Sequence, residues 1–106
     1  MDVTDRIKEQ ISSHPVVLFM KGTPDFPMCG FSSRVTQILK HCGAEFGYVN
    51  ILDDPEVREE IKRYSDWPTF PQLYINGELV GGCDIAMSMY ESGDLQKMLA
   101  EANGSK

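Results

Sequence analysis

Apolar residues recur four apart at Val3, Ile7 and Ile11, with charged and polar residues between them. That spacing predicts an amphipathic helix over residues 3–13, with Asp2 or Thr4 as its cap. The pattern then changes. Val16-Val-Leu-Phe-Met20, entered through Pro15, is continuously apolar and partly β-branched, as a strand covered on both faces must be. Helical periodicity returns at Phe31, Val35, Ile38 and Leu39, one face of a helix over 29–42 that Gly43 ends from the C′ position. Residues 46–51 predict a second strand, and a strand–helix–strand unit of this length calls for a parallel pair joined by a right-handed crossover. Asp54-Pro55 opens a third helix, whose Val57, Ile61 and Tyr64 carry one apolar face to about residue 65. Residues 72–75 and 78–80 flank Asn76-Gly77, a strong β-hairpin signal because both turn positions favour residues that tolerate positive φ. Helices over 83–91 and 94–102 close the chain, and residues 103–106 are expected to fray. There is no internal repeat. The order predicts an α/β fold, a four-stranded mixed sheet flanked by helices.

Composition narrows the function classes. The 106 residues suit a single domain spanning 1–106. Sixteen acidic residues against ten basic ones give a net charge of −6, and the basic residues are scattered. General nucleic-acid binding is therefore not expected, because phosphate recognition needs a concentrated basic surface. No membrane association is expected either, since the longest apolar run, 15–20, falls far short of the roughly 20 residues of a spanning helix. Three cysteines without a regular framework fit a reducing compartment. With no visible leader at the N-terminus, the expected location is cytoplasmic, or an organellar matrix where a transit peptide has been removed.

The chemistry concentrates in Lys21-Gly-Thr-Pro-Asp-Phe-Pro-Met-Cys29-Gly-Phe-Ser32. Cys29 follows a proline-bearing loop and precedes a helix, where unsatisfied backbone N–H groups and the positive end of the macrodipole favour a thiolate; Lys21 adds to the effect. An ordinary buried cysteine is the alternative. The fourth position of what would be a Cys-x-x-Cys site holds Ser32, so Cys29 has no local resolving thiol. It must use another thiol or a metal. Further along, Trp67-Pro-Thr-Phe-Pro71 enters a strand in the manner of the cis-proline loop of the thioredoxin superfamily, and Gly81-Gly-Cys-Asp84 leads into a helix start.

These three segments, in this order and spacing, resemble the monothiol glutaredoxins over essentially the whole chain. The resemblance implies a thioredoxin-like, glutaredoxin-type fold. It also implies that Cys29 is the nucleophile and metal ligand, that Lys21 and Arg58 bind the glycine carboxylate of glutathione with Lys62 as an aid, and that the Phe70 main chain pairs with the cysteinyl backbone of glutathione as an added strand. The helix start at Cys83 and Asp84 is the implied site of the γ-glutamyl group, with Asp84 both capping the helix and binding the ammonium. Cys83 has three readings: backbone support for the ligand, a distant resolving thiol for Cys29, or packing. Trp67 is read as packing in preference to a stacking platform, Cys42 as structural, and His14 and His41 as surface or capping residues.

The function implied first is binding of a [2Fe–2S] cluster bridged across a homodimer by two Cys29 thiolates and two glutathiones, serving cluster assembly and transfer and iron homeostasis. Implied partners are a BolA-type protein and apo iron–sulfur recipients. The loop over 22–28, longer than in dithiol glutaredoxins, is implied to disfavour glutathione as a reductant while keeping it as a ligand. The rival is a glutathione-dependent thiol–disulfide oxidoreductase that deglutathionylates proteins through Cys29 alone.

Overall fold

In a computed structural model the structure describes residues 2–104. The elements are α1 (Val3–Ser12), β1 (Val16–Met20), α2 (Gly30–His41), β2 (Gly47–Asn50), α3 (Pro55–Ser65), β3 (Gln72–Ile75), β4 (Glu78–Gly81), α4 (Cys83–Ser92) and α5 (Asp94–Gly104). The sheet runs β2-β1-β3-β4, with β1 and β2 parallel and the other two pairings antiparallel. This is the mixed four-stranded sheet the sequence pattern predicts. The hairpin turn is also as expected: Asn76 and Gly77 both take positive φ, 52° and 81°.

All five residues of β1 are buried, and the two-residue alternation of a strand sends them into two separate layers. Val16, Leu18 and Met20 join Leu73 and Ile75 of β3 against α2, α4 and α5, through Val35, Leu39, Ala86, Leu95 and Leu99. On the opposite face Val17, Phe19 and Tyr74 pack on Ile7 and Ile11 of α1 and Val57 and Ile61 of α3. Phe19 and Tyr74 meet edge to face, with ring centroids 5.5 Å apart. Arg6 ties α1 to the start of α3 through Asp54 at 3.2 Å, and Asp54 also caps α3 by accepting from the Val57 N–H.

Several expectations at element ends are corrected. Phe31 lies at helical spacing, but it is 58% exposed, because in the first turn of α2 it borders two open cavities instead of the core. Tyr64, in the last turn of α3, is also exposed. Cys29 stands outside α2 as its N-cap, in extended conformation, and residue 46 precedes β2. Helix α5 runs through Gly104, two residues past the end predicted at 102, and residues 105–106 of the segment expected to fray lie outside the described residues. No helix among the described residues is long and apolar enough to cross a membrane.

Candidate functional site

The candidate thiol sits where the C-terminal end of β1 meets the start of α2. Cys29 is partly exposed, and its reactivity is set by the backbone that follows it. The Ser32 N–H is the largest influence lowering its pKa below the ordinary thiol value; partial burial opposes it, and the Phe31 N–H, the Lys21 charge and the Ser32 hydroxyl lower it further. These are the free N–H groups of a helix first turn directed at a sulfur, so the thiolate is favoured. Ser32 itself is fully buried, and its Oγ accepts from the Lys21 N–H at 3.2 Å. The residue that stands in the resolving position thus joins the end of β1 to the thiol and offers no second sulfur.

The loop over 22–28 is a closed unit. Thr23 and Phe26 exchange backbone hydrogen bonds of 3.2 and 3.0 Å, and the Met28 N–H donates to the Lys21 carbonyl at 2.9 Å. Asn50 Oδ1, at the end of β2, accepts from the Gly22 N–H at 2.9 Å. On the outer side Lys40 Nζ donates to the Pro24 carbonyl at 3.2 Å and faces Asp25 at 3.5 Å. The loop thereby holds Phe26 and Met28 out beside the thiol, 77% and 68% exposed.

Two adjoining cavities flank Phe31. One, of about 320 Å³, is lined by Lys21, Cys29, Arg58, Lys62, Pro68 and Thr69 among others. Lys21 and Arg58 have no ion-pair partner among the described residues, and the buried Nε of Arg58 has no hydrogen-bond acceptor. Lys62 is engaged with Glu59 at 3.6 Å. Cations left unpaired beside a thiolate in an acidic protein are suited to a ligand carboxylate. The second cavity, of about 420 Å³, lies between the loop over 67–71 and the start of α4, with Trp67, Phe70, Gly82, Cys83 and Asp84 in its walls. The Phe70–Pro71 peptide bond is cis, as the Thr-x-Pro pattern predicts. Phe70 is 9% exposed, packs with the α1–α3 layer and also borders both cavities.

The structure brings together all six sequence-predicted positions, Lys21, Cys29, Arg58, Phe70, Cys83 and Asp84, around this pair of cavities. Two details differ from expectation. Asp84 does not cap α4: the N-cap is Gly82, with no side-chain cap bond, and Asp84 belongs to the first turn. Cys83 is buried, and that burial raises its pKa; Arg34 lowers it, and Asp84 and Cys29 raise it further. Its thiol lies beside the Met87 sulfur at 3.8 Å, and its main-chain N–H belongs to the start of α4. Cys42, at the end of α2, also has its pKa raised by burial. The imidazole of His14 lies against Gly47, and that of His41 meets Tyr90 edge-on at 5.9 Å. Trp67 packs on Gly82, as expected, but its buried Nε1 has no acceptor. Sequence reasoning passed over Asn50, Lys40 and Gln72. Only Gln72 carried a signal, as the one polar residue in a strand whose neighbours are all apolar.

Comparison with known proteins gives a consistent answer. The glutaredoxin family profile matches residues 16–80. The chain is 54% identical to glutaredoxin 4 of Haemophilus influenzae over 101 residues, covering 95% of this chain and 94% of that protein. Among solved structures, reduced apo GrxS14 of poplar superposes with a TM-score of 0.82 at 54% identity, covering 94% of this chain and 92% of that one. A buckwheat glutaredoxin–glutathione complex superposes with a TM-score of 0.82 at 27% identity, covering 94% and 89%.

Proposed function

This chain belongs to the glutaredoxin family, as a monothiol member with a thioredoxin-like fold, and from that premise we propose that it binds glutathione and carries a [2Fe–2S] cluster bridged between two copies of itself. The observation that carries the reading is a single low-pKa, accessible thiolate flanked by two unpaired cations on one side and a helix start on the other. Lys21 and Arg58 hold the glycine carboxylate of glutathione. The Phe70 main chain pairs with its cysteinyl residue, and the N–H groups at Cys83 and Asp84 take the γ-glutamyl carboxylate, with the Asp84 side chain on the ammonium. The buckwheat relative, solved as a glutathione complex, supports this assignment.

The donor set fits a shared cluster. No group of three or more His, Cys, Asp or Glu residues able to hold a metal occurs among the described residues, and Cys29 is the one cysteine whose pKa is lowered, those of Cys42 and Cys83 being raised. A [2Fe–2S] cluster takes four such ligands. Two Cys29 thiolates and two glutathione thiols complete the set, so cargo binding and dimerisation are one event. On this reading the protein serves cluster assembly and transfer and iron homeostasis in a reducing compartment, the cytoplasm or an organellar matrix. Apo iron–sulfur proteins are its recipients, and a BolA-type protein an alternative partner for the cluster.

The same thiolate favours a second reading, protein deglutathionylation. Cys29 attacks the glutathione sulfur of a mixed disulfide and the protein thiolate leaves; a second glutathione thiolate then attacks the Cys29–glutathione disulfide, restoring Cys29 and releasing oxidised glutathione. Anaerobic reconstitution with iron, sulfide and glutathione separates the two. The carrier reading expects a coloured dimer for the natural chain and for Cys42→Ser, none for Cys29→Ser, and weak turnover of a small glutathione mixed disulfide. Robust turnover with no cluster recovered makes the protein an oxidoreductase.

A further inference from the structure

Gln72 is fully buried at the start of β3, in a layer otherwise filled by aliphatic and aromatic side chains. Burying a primary amide there is costly unless its hydrogen bonds are met. Its Nε2 donates to the Trp67 carbonyl at 2.9 Å and to the Thr69 carbonyl at 3.3 Å, and its Oε1 accepts from the Tyr74 hydroxyl at 3.1 Å. The orientation of the amide follows from donor–acceptor arithmetic: two carbonyls can only accept, so the NH2 must face them, and the oxygen is left for the one available hydroxyl. Gln72 therefore reaches back along its own chain and holds the main chain on both sides of Pro68.

That segment has few other means of holding its shape. Pro68 and Pro71 lack N–H groups, and the backbone bond that anchors it, from the Trp67 N–H to the Lys62 carbonyl, lies at its very start. The same segment supplies a wall to each cavity, Pro68, Thr69 and Phe70 to the smaller and Trp67, Thr69, Phe70 and Pro71 to the larger. We propose that Gln72 is a positioning residue: its two amide hydrogens set the curvature of the 67–71 wall and hence the presentation of the Phe70 main chain, with Tyr74 locking the amide in the working orientation. The ligand-binding consequence rests on the glutathione reading; the effect on the wall does not.

Trp67 is the single tryptophan of the chain and sits inside this wall, so it reports on the wall in ligand-free protein. In Gln72→Met, which keeps length but loses both donors, acrylamide quenching of Trp67 fluorescence is expected to rise at least about two-fold. Glutathione affinity by calorimetry is expected to fall about three- to ten-fold, the size of one or two lost hydrogen bonds, at a temperature where circular dichroism shows full folding. Tyr74→Phe shifts both readouts in the same direction and less. Ile61→Val, which thins the same layer without removing a hydrogen bond to the wall, is the control and leaves both unchanged. If Gln72→Met does not fold, Tyr74→Phe, which removes only the hydroxyl that locks the amide, carries the test, and natural quenching and affinity in it overturn the proposal. A folded Gln72 variant with natural quenching, or an Ile61→Val control that moves the readouts equally, overturns the proposal. Absence of glutathione binding by the natural chain overturns the function instead, with the quenching measurement still deciding the role of Gln72.

Discussion

Replacing Gly22 with alanine is expected to open the loop beside the thiol while leaving the fold in place. Gly22 has φ +92°, where an L-residue costs roughly 1–2 kcal/mol. An added Cβ would stand 2.5 Å from the Phe26 carbonyl oxygen and 2.7 Å from the Met28 nitrogen, both backbone atoms that no rotamer change can move. These atoms belong to two of the hydrogen bonds that close the loop, Thr23 N–H to Phe26 O and Met28 N–H to Lys21 O. Relieving the overlap breaks one or both, at about 0.5–1.5 kcal/mol each. The total is about 2–5 kcal/mol, at or below the 5–15 kcal/mol typical of a whole domain. Because those bonds lie within the loop and Pro24 and Pro27 donate none, the loop yields before the core does. Amide hydrogen exchange followed by NMR is expected to speed up at least about ten-fold at Thr23, Phe26 and Met28, with β1 and β3 amides unchanged. Wild-type exchange at those three amides in the variant would refute the reasoning.

The remaining expectations concern charge and protonation. Ser32→Ala removes a hydroxyl that favours the Cys29 thiolate and accepts from the Lys21 N–H, so the pH profile of Cys29 alkylation should move to higher pH; an unchanged profile would leave the backbone N–H groups and the Lys21 charge as the cause. Neutralising Lys21 or Arg58 should weaken glutathione binding roughly ten-fold or more, since a hydrogen bond to a charged group is worth about 1.5–3 kcal/mol, and calorimetry showing full affinity in both variants would remove the carboxylate assignment. Burial holds the Tyr74 hydroxyl protonated, with its pKa pushed up to about 12. The unfolded chain releases that proton from about pH 10, so stability falls between pH 10 and about 12 by about 2–3 kcal/mol, and Tyr74→Phe should flatten the alkaline unfolding curve in that window.

The sequence pattern carried the fold because both core layers are periodic: β1 alternates between them, and Val35, Leu39, Val57 and Ile61 recur at helical spacing on the helices that cover them. Periodicity failed at Phe31 and Tyr64, which lie in the first turn of α2 and the last turn of α3, where spacing no longer implies burial. Of the six candidate positions, Lys21, Cys29, Phe70, Cys83 and Asp84 stand at a strand-end lysine, a Thr-x-Pro bend or a helix start, each with a local signature, whereas Arg58 has none and came from the family resemblance alone. The supports were not legible. Asn50 meets Gly22 only because β2 pairs beside β1, Lys40 reaches Pro24 only because α2 folds back over the loop, and the partners of Gln72 are backbone carbonyls, which leave no trace in a pattern of side chains.

The groove is assembled from both sides of the sheet: Cys29, the N-cap of α2, and Cys83, the first residue of α4, stand at helix starts on the α2–α4–α5 side, and Arg58 and the ring of Phe70 belong with the α1–α3 side. An occupant touching both acts as a cross-brace between layers that otherwise meet only through the strands. Its binding energy then adds to the resistance of the whole domain to melting, by about 2.7 kcal/mol at a hundred times its dissociation constant. On the glutathione reading, the durability of this small protein is linked to the concentration of that small molecule around it, and rises and falls with the pool.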